Sequence, residues 1–131
     1  GEPVELGLAD SIGVGVPSQV TDMMGAVREH IGEMPIRCHF HNTRNTGLAN
    51  AQAAADAGVT SLDASIGGIG GCPFAPAATG NIPTEDLAYM LHRMGYDTGV
   101  DVEARDHPDD VHGPTASPMA ASIPGTVTRP S

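Results

Sequence analysis

Three short apolar runs, each followed by a helix-patterned stretch, constrain this 131-residue chain more than any other feature. Val4-Glu5-Leu6-Gly7-Leu8-Ala9 reads as a strand ending at Asp10, Ile36–His41 as a second and Val59–Ala64 as a third. After a glycine-rich turn over 11–16, Pro17 suits a first helical position, where its missing N–H is not needed. Val20, Met23, Met24, Val27 and Ile31 then recur at three- and four-residue spacing until Gly32 and Pro35 stop the helix. Thr46 is placed to cap a second helix through Asp56, closed by Gly58. Thr84, followed by Glu85 and Asp86, opens a third, with Leu87, Met90 and Leu91 on its apolar face and Gly95 at its end. Strand–helix alternation with short connections means parallel strands and right-handed crossovers. It fits part of a (β/α)8 barrel or a small open α/β sheet. Three strands cannot close a barrel, so the barrel reading needs about five more.

From Thr98 onward the pattern changes. Pro108, Pro114, Pro118, Pro124 and Pro130 punctuate a run of Ser, Thr, Gly and Asp with no surviving period. We therefore expect an ordered unit over 1–97 and a disordered proline-rich tail over 98–131. Aromatics make up 3% of the chain and Trp is absent, so the core must be built on Ala, Val, Leu and Met. The formal charge is -10 and all six basic residues are Arg, which argues against a nucleic-acid surface and its basic stripe. No apolar run approaches the roughly 20 residues of a membrane span. Cys38 and Cys72 form no CxxC pair, and a reducing cytoplasm is the expected location. Because Gly1 leads at once into a strand pattern, we expect a fragment or an incomplete gene product.

The sharpest local signal is Cys38-His39-Phe40-His41-Asn42 at the end of the second strand. Residues two apart on a strand share a face, so His39 and His41 project together while Cys38 and Phe40 point toward the helices. Two imidazoles at a strand's C-terminal end make half of a metal site, or an inert hydrogen-bonded pair. That end is where parallel α/β folds carry their active sites. Asp10 ends the first strand at the same end of the sheet, as a turn or cap residue or as a catalyst. The 65–83 segment holds Gly67-Gly68-Ile69-Gly70-Gly71-Cys72-Pro73, either a lid with an accessible thiol or a flexible linker. Asn81 is a turn residue or an amide-oxygen donor to a hard cation.

Leu8-Ala9-Asp10-Ser11-Ile12-Gly13-Val14-Gly15, His39-Phe40-His41-Asn42-Thr43, Gly47-Leu48-Ala49-Asn50-Ala51, Gly70-Gly71-Cys72-Pro73-Phe74 and Gly80-Asn81-Ile82-Pro83-Thr84-Glu85-Asp86-Leu87 stand together in order. In that order and spacing, residues 4–100 resemble the 3-hydroxy-3-methylglutaryl-CoA lyase family. The resemblance implies a (β/α)8 barrel of which this chain holds strands six to eight. It implies Mg2+ or Mn2+ bound by His39, His41 and Asn81, with catalytic roles for Asp10, His39 and Cys72. The remaining ligand, an aspartate beside an arginine on the first strand, has no counterpart here. The implied reaction is cleavage of a 3-hydroxyacyl-CoA, giving acetyl-CoA and acetoacetate from 3-hydroxy-3-methylglutaryl-CoA in leucine catabolism, by a homo-oligomer when full-length. Asn42, where many lyases carry Asp, leans toward the related condensing enzymes, which join acetyl-CoA to a 2-oxo acid. A third reading is a non-catalytic remnant that needs a partner. Beyond Val102 the chain departs from the family pattern, which we read as a divergent extension or, preferably, a shifted reading frame.

Overall fold

The computed structural model describes residues 4–68, 80–99 and the backbone of 120–123. Strands β1 (Leu6–Asp10), β2 (Ile36–Phe40) and β3 (Ser61–Ser65) alternate with helices α1 (Pro17–Ile31), α2 (Gly47–Asp56) and α3 (Thr84–Arg93). The three strands pair in parallel in chain order, as the alternation predicts. A fourth strand, β4 (Ala120–Ile123), adds to β3 in antiparallel sense. That strand lies inside the stretch expected to be disordered, so four residues of the tail depart from the expectation. Composition shows what cannot pack by itself, whereas an open β3 edge supplies backbone partners whatever the side chains.

Register decides which side chains share a face. Leu8 sits beside Cys38 and Cys38 beside Leu62, whereas Ala9, His39 and Asp63 line up on the other side. The first set faces the helices. Cys38, Phe40, Leu62 and Ala64 join Met24 of α1, Ala51, Ala54 and Ala55 of α2, and Leu87 and Leu91 of α3 in one buried cluster. Leu62, Leu87 and Leu91 are fully buried, each stabilising the fold by about 1.5–3 kcal/mol before entropy is subtracted. The alanines let α2 lie close to the sheet, which is how a core almost without aromatics closes.

Both expected threonine caps are corrected. Thr46 precedes α2, but its hydroxyl donates to the Gly15 carbonyl (2.8 Å) and makes no cap bond. The acceptor for the Gly47 N–H is instead Asn42 Oδ1, at 3.0 Å. Thr84 is the first residue of α3 rather than its cap, and its buried hydroxyl finds no partner among the described residues. The α1 start is as expected: Pro17 opens the helix, and Gln19 reaches back to accept the Val16 N–H at 3.1 Å. Gly32, Gly58 and Gly95 end the three helices at positive φ.

Candidate active site

The face of the sheet away from the helices carries Arg37, His39 and His41 from β2 and its end, and Asp63 from β3. His39 and His41 project together, as period-two geometry requires. Their Nε2 atoms stand 3.1 Å apart and their rings meet edge to face. His41 is buried and His39 partly so. Two imidazole nitrogens converging on one point fit half of a divalent-cation site.

The segment after residue 80 completes this end of the sheet. The Asn42 N–H donates to the Gly80 carbonyl (3.2 Å), and the Ser65 N–H to the Ile82 carbonyl (3.1 Å). These bonds thread residues 80–83 between the ends of β2 and β3, and pair Asn81 with His41 in an isolated bridge. The structure thus sets the backbone of Asn81 beside that of His41, two residues from His39. Asn42, Thr43, Gly67, Gly68 and Asn81 help line a cavity of about 370 Å³ at this end. Among the described residues no cluster of three or more His, Cys, Asp or Glu could hold a metal ion, so any cation here relies on the amide of Asn81 and on donors from elsewhere.

Asp10 stands at the same end but on the other face. It pairs in register with Phe40, not with either histidine. Its Oδ1 accepts the Gly13 N–H (3.0 Å) and the Val14 N–H (3.4 Å), and its Oδ2 the Gly15 N–H (2.8 Å). The carboxylate therefore shapes its own turn. That turn matters to the site, because a Cβ added at Gly13 would lie 3.0 Å from His41 Cβ and 2.6 Å from Thr43 Oγ1. Gly13 also has φ +80, so a side chain there would be strained in any case.

Two residues that shape the site were missed in the sequence. Asp63 Oδ2 is 3.3 Å from His39 Nδ1, and Asp63 Oδ1 accepts from Arg37 Nη1 at 3.0 Å. Arg37 Nε in turn donates to Glu5 Oε1 at 2.7 Å. Burial alone would push the Asp63 carboxyl up, but hydrogen bonds from His39 and Arg37, with their charge, hold it below the ordinary carboxylate range. Arg37 is held more firmly protonated, first by its hydrogen bond to Glu5. The signal for Asp63 was present in Ser61-Leu62-Asp63-Ala64-Ser65, whose polar residues alternate onto one face. Cys38, one residue from His39, is a core thiol, pushed up to about 12 by burial first and by Asp63 second. Cys72 lies outside the described residues.

No described helix is long and apolar enough to cross a membrane. The model of the HMGL-like family matches residues 2–107. The (R)-citramalyl-CoA lyase of Chloroflexus aurantiacus is 49% identical over 100 residues, covering 76% of this chain and 32% of the relative. The hydroxymethylglutaryl-CoA lyase of Pseudomonas mevalonii is 43% identical over 76% of this chain and 33% of its own. Among solved structures, an HMG-CoA lyase from Acinetobacter baumannii in complex with coenzyme A and 3-methylmalate superposes with a TM-score of 0.70. It is 46% identical and covers 75% of this chain and 32% of that one. The chain thus spans about a third of the length of its relatives. These neighbours are TIM-barrel proteins, and the parallel α/β expectation holds. Numbering the three strands six to eight is not supported by the matches. The described sheet is itself open, with an antiparallel fourth strand where a barrel would continue in parallel.

Proposed function

Because the chain belongs to the HMGL-like family, we propose that it supplies the histidine-bearing part of the active site of a divalent-cation-dependent carbon–carbon lyase acting on a 3-hydroxyacyl-CoA. The observation that carries this reading is the convergence of the His39 and His41 Nε2 atoms at the C-terminal end of a parallel strand, with Asn81 bridged beside them. His39, His41 and Asn81 are the ligands we assign to Mg2+ or Mn2+. When bound, the cation supplies Lewis-acid polarisation of the substrate's oxygens.

The chain's own residues do the positioning. Asp63 orients the His39 ring, and the turn built on Asp10 backs His41. Asp10, expected as a proton carrier, is better assigned as a positioning residue, since both its oxygens serve backbone donors. Both nitrogens of His39 are also committed, Nδ1 to Asp63 and Nε2 toward His41, so we assign it the ligand role. In the proposed cleavage a general base takes the proton of the substrate hydroxyl as its oxygen becomes a carbonyl. The C–C bonding pair passes to the acetyl-CoA enolate, which is then protonated. We keep Cys72 as the thiol that delivers this last proton or organises the closed loop.

The substrate class is a 3-hydroxyacyl-CoA, 3-hydroxy-3-methylglutaryl-CoA first. The 49% identity to a citramalyl-CoA lyase favours (R)-citramalyl-CoA as the second reading. The relatives named above are lyases, so the condensing reaction is set aside. The test is complementation, with the chain co-expressed beside the remaining two thirds of a family lyase and both thioesters assayed with Mn2+. Cleavage that disappears in His39→Ala and His41→Ala supports the proposal. Absence of cleavage from both thioesters, together with no Mn2+ uptake, overturns it.

A further inference from the structure

We propose that Asp63, clamped by Arg37, sets His39 in the Nδ1–H tautomer and so makes its Nε2 the standing ligand atom of the site, before any cation arrives. This rests on the metal-site reading above and deepens the positioning role given there to Asp63. An ionised carboxylate only accepts hydrogen bonds, so the His39 Nδ1 at 3.3 Å from Asp63 Oδ2 carries the hydrogen. A neutral imidazole has one N–H, which leaves Nε2 with its lone pair. His41 Nε2 lies 3.1 Å from that lone pair, placed to donate to it in the metal-free chain. The result is a directed chain: His41 donates to His39, His39 to Asp63, and Arg37 to the other Asp63 oxygen and to Glu5.

The geometry shows why Arg37 belongs to this device. Asp63 and His39 are register partners on adjacent strands, so their side chains stand side by side rather than end to end. A carboxylate in that position can rotate about its terminal torsion. Fixing Oδ1 on Arg37 (3.0 Å) aims Oδ2 at His39, and Glu5 at 2.7 Å keeps Arg37 from swinging away. The Asp63 side chain is only 16% exposed, so water competes weakly for it. A carboxylate behind a ligating imidazole fixes both the tautomer and the ring plane, and its loss costs roughly ten- to a hundredfold in metal affinity. A cation held by both Nε2 atoms would leave the His39 tautomer as it is and would require His41 to carry its hydrogen on Nδ1.

The test is long-range 1H–15N correlation on the metal-free 131-residue chain labelled with 15N-histidine, at a pH where the imidazoles are neutral. Signals of His39 are identified by their loss in His39→Gln. We expect His39 as Nδ1–H and His41 as Nε2–H, with only His41 switching when Zn2+ is added as a diamagnetic probe. Asp63→Ala should erase the His39 preference and weaken Mn2+ binding by about ten- to a hundredfold, read by calorimetry. Asp63→Asn keeps the shape but has one acceptor oxygen, which Arg37 takes, so its NH2 faces His39 Nδ1 and should turn the ring to the Nε2–H form, which separates loss of the acceptor from loss of the fold. Wild-type His39 found as Nε2–H, or Asp63→Ala that leaves tautomer and affinity unchanged, overturns the proposal. If the chain takes up no Mn2+ yet His39 still shows the Asp63-dependent tautomer, the metal reading fails and the positioning role stands.

Discussion

Asp10 shows how a residue with a catalytic look can serve through the backbone. Its two oxygens gather N–H groups from Gly13, Val14 and Gly15, and an ionised acceptor makes such bonds stronger than neutral ones. Asp10→Ala leaves those donors without their acceptor, at a cost of about 2 kcal/mol in a urea unfolding experiment. Because Gly13 is packed against the His41 Cβ, the same variant should also lower Mn2+ affinity, whereas Asp10→Asn should lie between it and wild type. An Asp10→Ala chain with unchanged midpoint and affinity would remove the positioning role. Gly47 is constrained more tightly still. A Cβ there would sit 2.3 Å from Ile82 Cγ2 and 3.1 Å from the His41 carbonyl oxygen. Gly47→Ala therefore pushes the 80–83 segment away from the histidines, and about 1–3 kcal/mol of overpacking should appear in the same unfolding assay.

At the scale of elements, what was legible in the sequence is what depends on period. The α1 stripe, the three strands and the shared face of His39 and His41 all follow from repeats of 3.6 or 2.0, which need no knowledge of the neighbours. The caps were misread because their atoms come from elsewhere: Asn42 reaches five residues forward to Gly47, and Thr46 turns back to Gly15. Asp63 was missed for a related reason. Its meaning appears only when register sets it beside His39, and register between strands more than twenty residues apart is a tertiary fact. Asn42 allows a test of the corrected cap. Asn42→Ala should cost about 1 kcal/mol by freeing the Gly47 N–H. Asn42→Asp keeps the acceptor and places a charge at the start of a helix whose first turn has no acid, so it should gain about 0.3–1 kcal/mol at low salt. At the opposite end of the sheet, Arg28 ties two connections together through Gly32 (2.8 Å), Met34 (2.6 Å) and Gly58 (3.1 Å) carbonyl oxygens. Arg28→Met should destabilise by about 1–3 kcal/mol and leave Mn2+ binding alone, since that end carries stability rather than chemistry.

Across the whole molecule the two edges of the sheet differ. β4 covers β3, while β1 has no outer neighbour among the described strands. Beside β1 lies a cavity of about 620 Å³ whose wall is apolar at Leu8, Val20, Met23, Met24, Cys38 and Phe40 and polar at Asp10, Gln19 and Asp22. Met23 is 54% exposed, although it belongs to the same helical stripe as Met24, which is 1% exposed. The periodicity of α1 therefore specifies a wider apolar face than the described residues cover. An open strand edge next to an apolar groove favours pairing with another chain, and a second copy of this one is always present. We expect the 131-residue chain to sediment as a concentration-dependent mixture rather than a single monomer. Met23→Glu places a charge at the mouth of the groove without disturbing the core, so it should shift the chain toward monomer with little change in unfolding midpoint. Met24→Glu buries the same charge and should unfold the chain instead. A wild-type chain that stays monomeric at every concentration, or Met23→Glu that leaves the association intact, would show that the groove is not the surface through which the copies meet.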